Sequence, residues 1–394
     1  MIFGAKPLDA KEVAVLAEID KKKQDLRYAI SAPRRWSGLL RRTTLARAVQ
    51  GSNSIEGYNV TLDDAIAAVE GEEPLEPNDE AWLAVTGYRD AMTFVLQKVD
   101  DPYFTLSDEV LKALHFMMIK HDLTKNPGRW RSGPIFVKSE KTGDQVYEGP
   151  PAESVPGLMG ELVSSINRAS DGSVPVIVQA AMAHLNLVMI HPFSDGNGRM
   201  GRCLQTLVLA RSGVVSPTFS SIEEYLGRNT QAYYDVLAEV GQGSWNPGRD
   251  AKPWIRFCLT AHYRQVMTLL RRTREIQKIW DQLETLVKKL RLPERTLEVL
   301  TDAAMGLRVR NNTYRSIADI TMTLASRDLK VLVDAGLLVS HGEKRGRYYQ
   351  GSPGLQAICQ KAREPRSPIP DPFEQPEIPA GDPNLVVPGM SSLN

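Results

Sequence analysis

Cysteine is scarce in this chain: Cys203, Cys258 and Cys359 are the only three among 394 residues, far apart and without a CxxC pair. That spacing excludes a disulfide framework and gives no zinc signature. The other soft-metal ligand is equally thin, since His115, His121, His184, His262 and His341 are scattered without ligand spacing and read as structural or solvated. Also missing is an apolar run near the roughly 18 residues of a membrane-crossing helix. The opening stretch MIFGAKPLDAKEVAVLAEIDKKK turns charged too soon for a secretory signal. A cytoplasmic protein with no membrane partner is the expectation. Nor does charge of one sign dominate: 48 basic against 47 acidic side chains leave a net charge of +1. No global field gathers nucleic acid or anionic lipid, so any such partner must be met locally.

What is present is helix, in more than one module, as a chain beyond about 300 residues usually requires. Residues 10–57 carry good helix formers, with a last helix from Arg41 to Glu56 stopped by Gly57. TLDDAIAAVEG and SDEVLKALHFMMIKH then each place a Thr or Ser cap before acidic residues in the first turn. Residues 134–151 break the pattern with β-prone runs at Ile135–Lys138 and Gln145–Tyr147 around a polar turn at Thr142-Gly143-Asp144, which predicts a hairpin. VIVQAAMAHLNLVMI, residues 176–190, is apolar on nearly every face and predicts a helix at the centre of a domain. Helices to Arg211, over EYLGRNTQAYYDVLAEV, and from Pro253 to Leu290 follow. Residues 294–350 have the element order of a winged helix-turn-helix. The prolines between Pro365 and Pro388 predict an extended or disordered tail. The expected division is 1–100, an N-terminal helical region; 101–265, the core; 266–292, a linker helix; 293–362, the winged helix; and 363–394, the tail.

The chemistry is concentrated where the apolar helix ends, in HPFSDGNGRMGR, residues 191–202. Small residues leave backbone N–H groups open at the start of the next helix, where the positive dipole end favours an anion. Arg199 and Arg202, three apart, share one face of its first turn and add planar, always-charged forks. Two arginines exceed what one phosphate needs and suit a polyphosphate, and Asp195 is a hard oxygen ligand suited to Mg²⁺ bridging phosphate groups. The loop therefore reads as a nucleoside triphosphate site. His191, an imidazole titrating near neutrality, is the available general base, which implies transfer of part of the nucleotide.

The loop resembles the signature of the Fic family, HxFx(D/E)GNGRxxR, at every defined position. The resemblance implies a mostly α fold, a Fic-type helical bundle with a β-hairpin flap, here followed by a C-terminal winged helix-turn-helix. It implies AMP transfer from ATP, with Mg²⁺, to a Tyr, Thr or Ser hydroxyl of a target protein or of the chain itself. By the family's pattern His191 is the base, Phe193 anchors the loop, Asp195 binds Mg²⁺, and Gly196, Asn197, Gly198, Arg199 and Arg202 hold the phosphates. Relatives that act as kinases carry Lys in place of the loop's second Gly, so Gly198 argues against that chemistry. The hairpin resembles the family's target-docking flap, which assigns Ile135, Phe136, Val137, Lys138, Val146 and Tyr147 to the target. NTQAYYDVL resembles its adenine-pocket helix, which puts Asn229 and one of Tyr233 or Tyr234 near the base.

Leu45, Val49, Ser52 and Glu56 fall at intervals of four, three and four, one stripe of a helix, so Glu56 lies on the buried side. A carboxylate there asks for a buried cation, and the loop arginines are the candidates. SNSIEG, residues 52–57, resembles the family's inhibitory motif (S/T)xxxE(G/N), in which the Glu pairs with the last Arg of the signature, here Arg202, and so restrains the enzyme. Removal of AMP, another nucleotide donor, or a nucleotide-sensing DNA-binding regulator are the alternatives. The segment 294–350 carries nine basic and seven acidic residues. That is weak for phosphate contacts, although Lys344, Arg345 and Arg347 stand in its wing, while Asp328 and Asp334 fall on its presumed recognition helix. Protein docking or contact between copies in a homodimer is favoured over DNA.

Overall fold

The computed structural model describes residues 1–30, 36–74, 79–138, 143–168, 174–213, 221–343 and 346–374. The hairpin turn at Thr142, Lys344 and Arg345 of the wing, and the tail beyond Glu374 lie outside the described residues.

Five helices lead the chain: α1 (Ala10–Ile30), α2 (Ser37–Ile55), α3 (Leu62–Glu70), α4 (Asp79–Lys98) and α5 (Asp108–Ile119). Two of their starts were legible as caps. The Thr61 hydroxyl accepts from the Asp64 amide and the Ser107 hydroxyl from the Val110 amide, each satisfying a donor that the helix itself cannot pair. A hairpin follows, β1 (Phe136–Lys138) and β2 (Gln145–Glu148), antiparallel with Val137 opposite Tyr147. Then come α6 (Val155–Arg168), α7 (Val176–Ile190), α8 (Asn197–Arg211), α9 (Glu223–Arg228) and α10 (Thr230–Gly241). A short strand, β3 (Gly243–Ser244), adds to the hairpin in parallel beside β2. Sequence reading missed it, because two residues carry no period.

The predicted central helix is α7, whose apolar surface is buried in a core shared by the elements from α1 to the first half of α11 (Lys252–Leu290). This last helix has 39 residues, about 58 Å at 1.5 Å per residue. It runs without a break through the expected boundary at 265/266. Its second half, with Leu26, Trp36 and Leu40, packs in a second core with the C-terminal elements. These are α12 (Leu297–Ala304), α13 (Asn311–Ala318), α14 (Met322–Asp334), β4 (Leu338–His341), β5 (Tyr348–Gly351) and α15 (Pro353–Ala362), with β4 and β5 antiparallel. Asp328 is not a surface group of α14: it is buried and accepts from Arg295 at 2.7 Å and from the Tyr314 hydroxyl at 2.8 Å. The first residues of the tail also pack on the body, with Ile369 and Phe373 against the main core.

Where α2 crosses α9 the backbones nearly touch. A Cβ on Gly51 would stand 2.6 Å from the Glu223 carbonyl oxygen, and one on Gly227 would stand 2.6 Å from the Gly51 carbonyl oxygen. Glycine at both crossing points fixes the height at which α2 passes the site.

Candidate active site

The loop between α7 and α8 is held from below. Phe193 is fully buried, with its ring stacked on His115 at 3.7 Å between centroids and tilted on Trp130 at 4.8 Å. His115 accepts from the Gly128 amide through Nδ1, so Nε2 carries the proton and donates to the Asp195 carbonyl at 3.0 Å. Burial lowers the His115 pKa to about 4, which keeps it a neutral strut. Sequence reading classed His115 as structural but did not foresee that it shapes the loop, because 80 residues separate it from Asp195.

The Asn197 side chain is buried and occupied at both ends by the backbone of Phe193, accepting the amide and donating to the carbonyl at 2.9 Å each. It closes the loop, a part that sequence reading did not assign to it. Gly196 sits at φ 74°, a left-handed conformation that favours glycine, and its amide donates to Asp195 Oδ1 at 2.7 Å. The amides of the first turn of α8 have no partner within the helix and are open to an anion. Among the described residues no group of three or more His, Cys, Asp or Glu is placed to hold a metal. Asp195 would share a Mg²⁺ ion with ligand phosphates and water, the usual mode for that ion.

His191 ends α7 at φ 51° with its Nδ1 3.1 Å from the Val188 carbonyl. A carbonyl can only accept, so Nδ1 carries the proton and Nε2 keeps its lone pair. Burial, then the nearby Arg131 guanidinium, hold the pKa of this imidazole below its ordinary value, while Val188 and Glu56 act the other way. The lowered value favours the neutral imidazole.

Arg131, which sequence reading missed, ties this point to the flap. Its guanidinium donates to the carbonyls of His191 at 2.8 Å, Gly133 at 2.7 Å and Pro150 at 2.5 Å. Tyr147 belongs to the same anchor, corrected from a docking role: it is buried, and its hydroxyl donates to the Met189 carbonyl at 2.8 Å. Phe136 and Val146 are exposed, Ile135 and Val137 half-buried, and Lys138 ends β1 opposite Gln145.

Above the loop lies the end of α2. Arg202 is buried and donates to the Ser52 hydroxyl at 2.8 Å, the Ser52 carbonyl at 2.9 Å and Glu56 Oε1 at 2.6 Å. Burial opposes the charge on Arg202, and the Glu56 carboxylate together with Tyr233 and Tyr88 outweighs it, so the guanidinium is held above its ordinary pKa. A Cβ at Gly198 would overlap Glu56 Oε1, so the pairing also needs glycine at that position. Arg199 is equally buried beneath the Tyr58 ring, 5.0 Å from its centroid, and its Nε and Nη1 have no partner. An unpartnered buried guanidinium beside open helix amides is a site built for an anion.

The aromatic pair on α10 divides. Tyr233 is buried, with its hydroxyl 3.0 Å from His184 Nε2, and belongs to the core. Tyr234 is 41% exposed, and its hydroxyl donates to the Ile55 carbonyl at the end of α2. Asn229 precedes this helix and donates to the Tyr225 carbonyl at 2.8 Å.

Comparison with known proteins agrees with this geometry. Residues 105–209 match the Fic/DOC family. The chain is 27% identical over 254 residues to Protein adenylyltransferase Fic of Nematostella vectensis, covering 59% of this chain and 52% of that protein. It is 28% identical over 255 residues to the protein of the same name from Drosophila mojavensis, covering 61% and 44%. It thus spans about half the length of the curated relatives it matches. A solved Fic family protein from Desulfovibrio desulfuricans G20 superimposes with a TM-score of 0.56 at 22% identity, over 89% of this chain and 99% of that one. Fic-1 from C. elegans does so with a TM-score of 0.54 at 20% identity, over 66% and 72%. The chain therefore has the Fic fold, and its residues 105–209 form a segment that matches the Fic/DOC family.

Proposed function

We propose that this protein is an adenylyltransferase that moves AMP from ATP to a hydroxyl side chain of a target protein, and that it is restrained by its own α2. The observation that carries the reading is the buried anion cradle of Arg199 and Arg202, with Glu56 holding the second arginine at 2.6 Å. ATP phosphates take the first-turn amides of α8 and the two guanidiniums, and Mg²⁺ on Asp195 neutralises phosphate charge when bound. The target hydroxyl oxygen attacks the α-phosphorus and its proton passes to His191 Nε2. The bond from that phosphorus to the bridging oxygen breaks, and pyrophosphate leaves. Tyr234, beside the end of α2, is the better placed of the two tyrosines to meet the base.

The target lies along the flap. β1 is the edge strand of its sheet, and exposed Phe136 and Val146 offer side-chain contacts to an added strand. The C-terminal module serves protein docking, between copies or with a partner, because much of its basic charge is turned inward. Arg295 pairs with Asp328 at 2.7 Å, Arg308 with Asp63 at 3.5 Å and Arg310 with Glu72 at 3.3 Å. A cytoplasmic setting fits three buried, unpaired cysteine thiols.

The donor is tested by offering Glu56→Gly each of ATP, GTP and UTP labelled on the α-phosphate. Label from ATP at least tenfold above the others is expected, and preferential label from GTP or UTP would overturn the adenylyl assignment. The base has its own signature. Because burial keeps His191 below the ordinary imidazole value of 6.5, the acid limb of kcat/KM of Glu56→Gly should be centred below 6.5. Removing Glu56 takes away a charge that raises this pKa, which moves the acid limb further down. A limb centred above 6.5 contradicts the assignment.

A further inference from the structure

Six arginines from four separate segments, none of them in the loop, converge on one cavity of about 130 Å³, some ten times the volume a single water needs. Arg47 comes from the middle of α2, Arg228 from the end of α9, Arg271 and Arg272 from α11, and Arg363 and Arg366 from the segment after α15. Among the described residues the carboxylates paired with them are two. Glu224 takes Arg272 at 2.6 Å and Arg228 at 2.7 Å, and Glu275 stands 3.7 Å from Arg271. Six positive charges therefore face two negative ones, and Arg271 Nε is buried and makes no hydrogen bond, Glu275 being its ion-pair neighbour at 3.7 Å. The crowding is felt at Arg47: burial, then Arg272, pull its pKa down to about 10.

We infer that this cavity is a second anion site, distinct from the loop, which takes a compact polyphosphate group and clamps α2 in its restraining position. A single phosphate would leave most of these forks unmatched, whereas a run of phosphates meets several planar guanidiniums at once, each able to pair two oxygens. The site joins α2 to α9, α11 and the C-terminal segment in the same arrangement that holds Glu56 on Arg202. Arg47 lies nine residues before Glu56 on that helix, about 14 Å along its axis. An anion that neutralises the cluster stabilises this arrangement, and pairing at Glu56 strengthens anion binding by the same factor. Only the consequence for catalysis rests on the proposed function; the binding site does not.

The test is calorimetric titration of the full chain with inorganic triphosphate, with hydrogen exchange locating the occupied site. Orthophosphate should bind at least tenfold more weakly than triphosphate, and Arg271→Gln/Arg366→Gln should bind triphosphate at least tenfold more weakly than the parent. Arg271→Lys/Arg366→Lys, which keeps the charge without the forks, falls between them and guards against a folding artefact. Exchange should slow in 40–47 and 271–276 and along α2 to residues 48–56, in addition to any protection that the same anion gives the loop at 191–202. Repeating the footprint with ATP separates the sources: equal protection means that the phosphates alone are read, and stronger protection means a nucleotide. Undiminished protection of 271–276 in the Gln pair, protection confined to 191–202, or no binding of triphosphate would overturn the site. Protection that stops short of 48–56 would overturn the clamp.

Discussion

Glu56→Gly should raise adenylylation about tenfold to a hundredfold over the parent chain. The size follows from the contact removed. The Glu56 carboxylate occupies Arg202 through a charge-assisted hydrogen bond of 2.6 Å, of a kind worth about 1.5–3 kcal/mol net. Terminal phosphates of ATP must displace it to reach the same guanidinium, and each 1.4 kcal/mol of that competition is about a factor of ten. Arg202 keeps its two bonds to Ser52 in the variant, so the cradle stays formed. A second readout is independent of turnover. ATP with Mg²⁺ should raise the melting temperature of Glu56→Gly more than that of the parent, because the freed arginine binds the nucleotide tighter in the folded state. Equal shifts and equal rates in the two proteins would show that the pairing restrains nothing.

Replacing His191 in the released background should lower transfer by at least about a hundredfold, the lower end of what a positioned general base supplies. The replacement needs care. His191 sits at φ 51°, a left-handed conformation that costs most residues about 1–2 kcal/mol and that Asn tolerates best. His191→Asn thus removes the base with less backbone strain than His191→Ala. Both should lose activity while ATP still stabilises the protein, since the phosphate contacts proposed above lie on α8. Retained activity in His191→Asn would place the base elsewhere.

Much of this site was legible because its parts are local. The interval of His191, Asp195, Arg199 and Arg202 survives folding unchanged, as the turn and first helical turn that carry it are set by neighbours in the chain. The helix predicted from Arg41 to Glu56 forms as Ser37–Ile55, and the Leu45, Val49, Ser52, Glu56 stripe does deliver a carboxylate to a buried arginine. What escaped depends on long-range contact. Neither Arg131 nor His115 shows any periodic signal, and each acts on a loop 60 or more residues away. Tyr233 and Tyr234 look alike in sequence, yet a helix turns adjacent residues by about 100°, and one went into the core. Arg271 and Arg272 carry no signal of their own in the sequence; folding brings Arg47, Arg228, Arg363 and Arg366 to the same cavity. Asn197 was assigned by its place in the motif, whereas its bonds to Phe193 give it a part in building the loop.

The central claim is that His191 carries out AMP transfer that Glu56 holds back. Incorporation of α-phosphate-labelled ATP into protein, with Mg²⁺ and cell lysate as a source of targets, tests it when the parent, Glu56→Gly and Glu56→Gly/His191→Asn are compared side by side. Strong label with Glu56→Gly alone is the predicted result; equal label in both variants, or none in Glu56→Gly although it binds ATP, would contradict it.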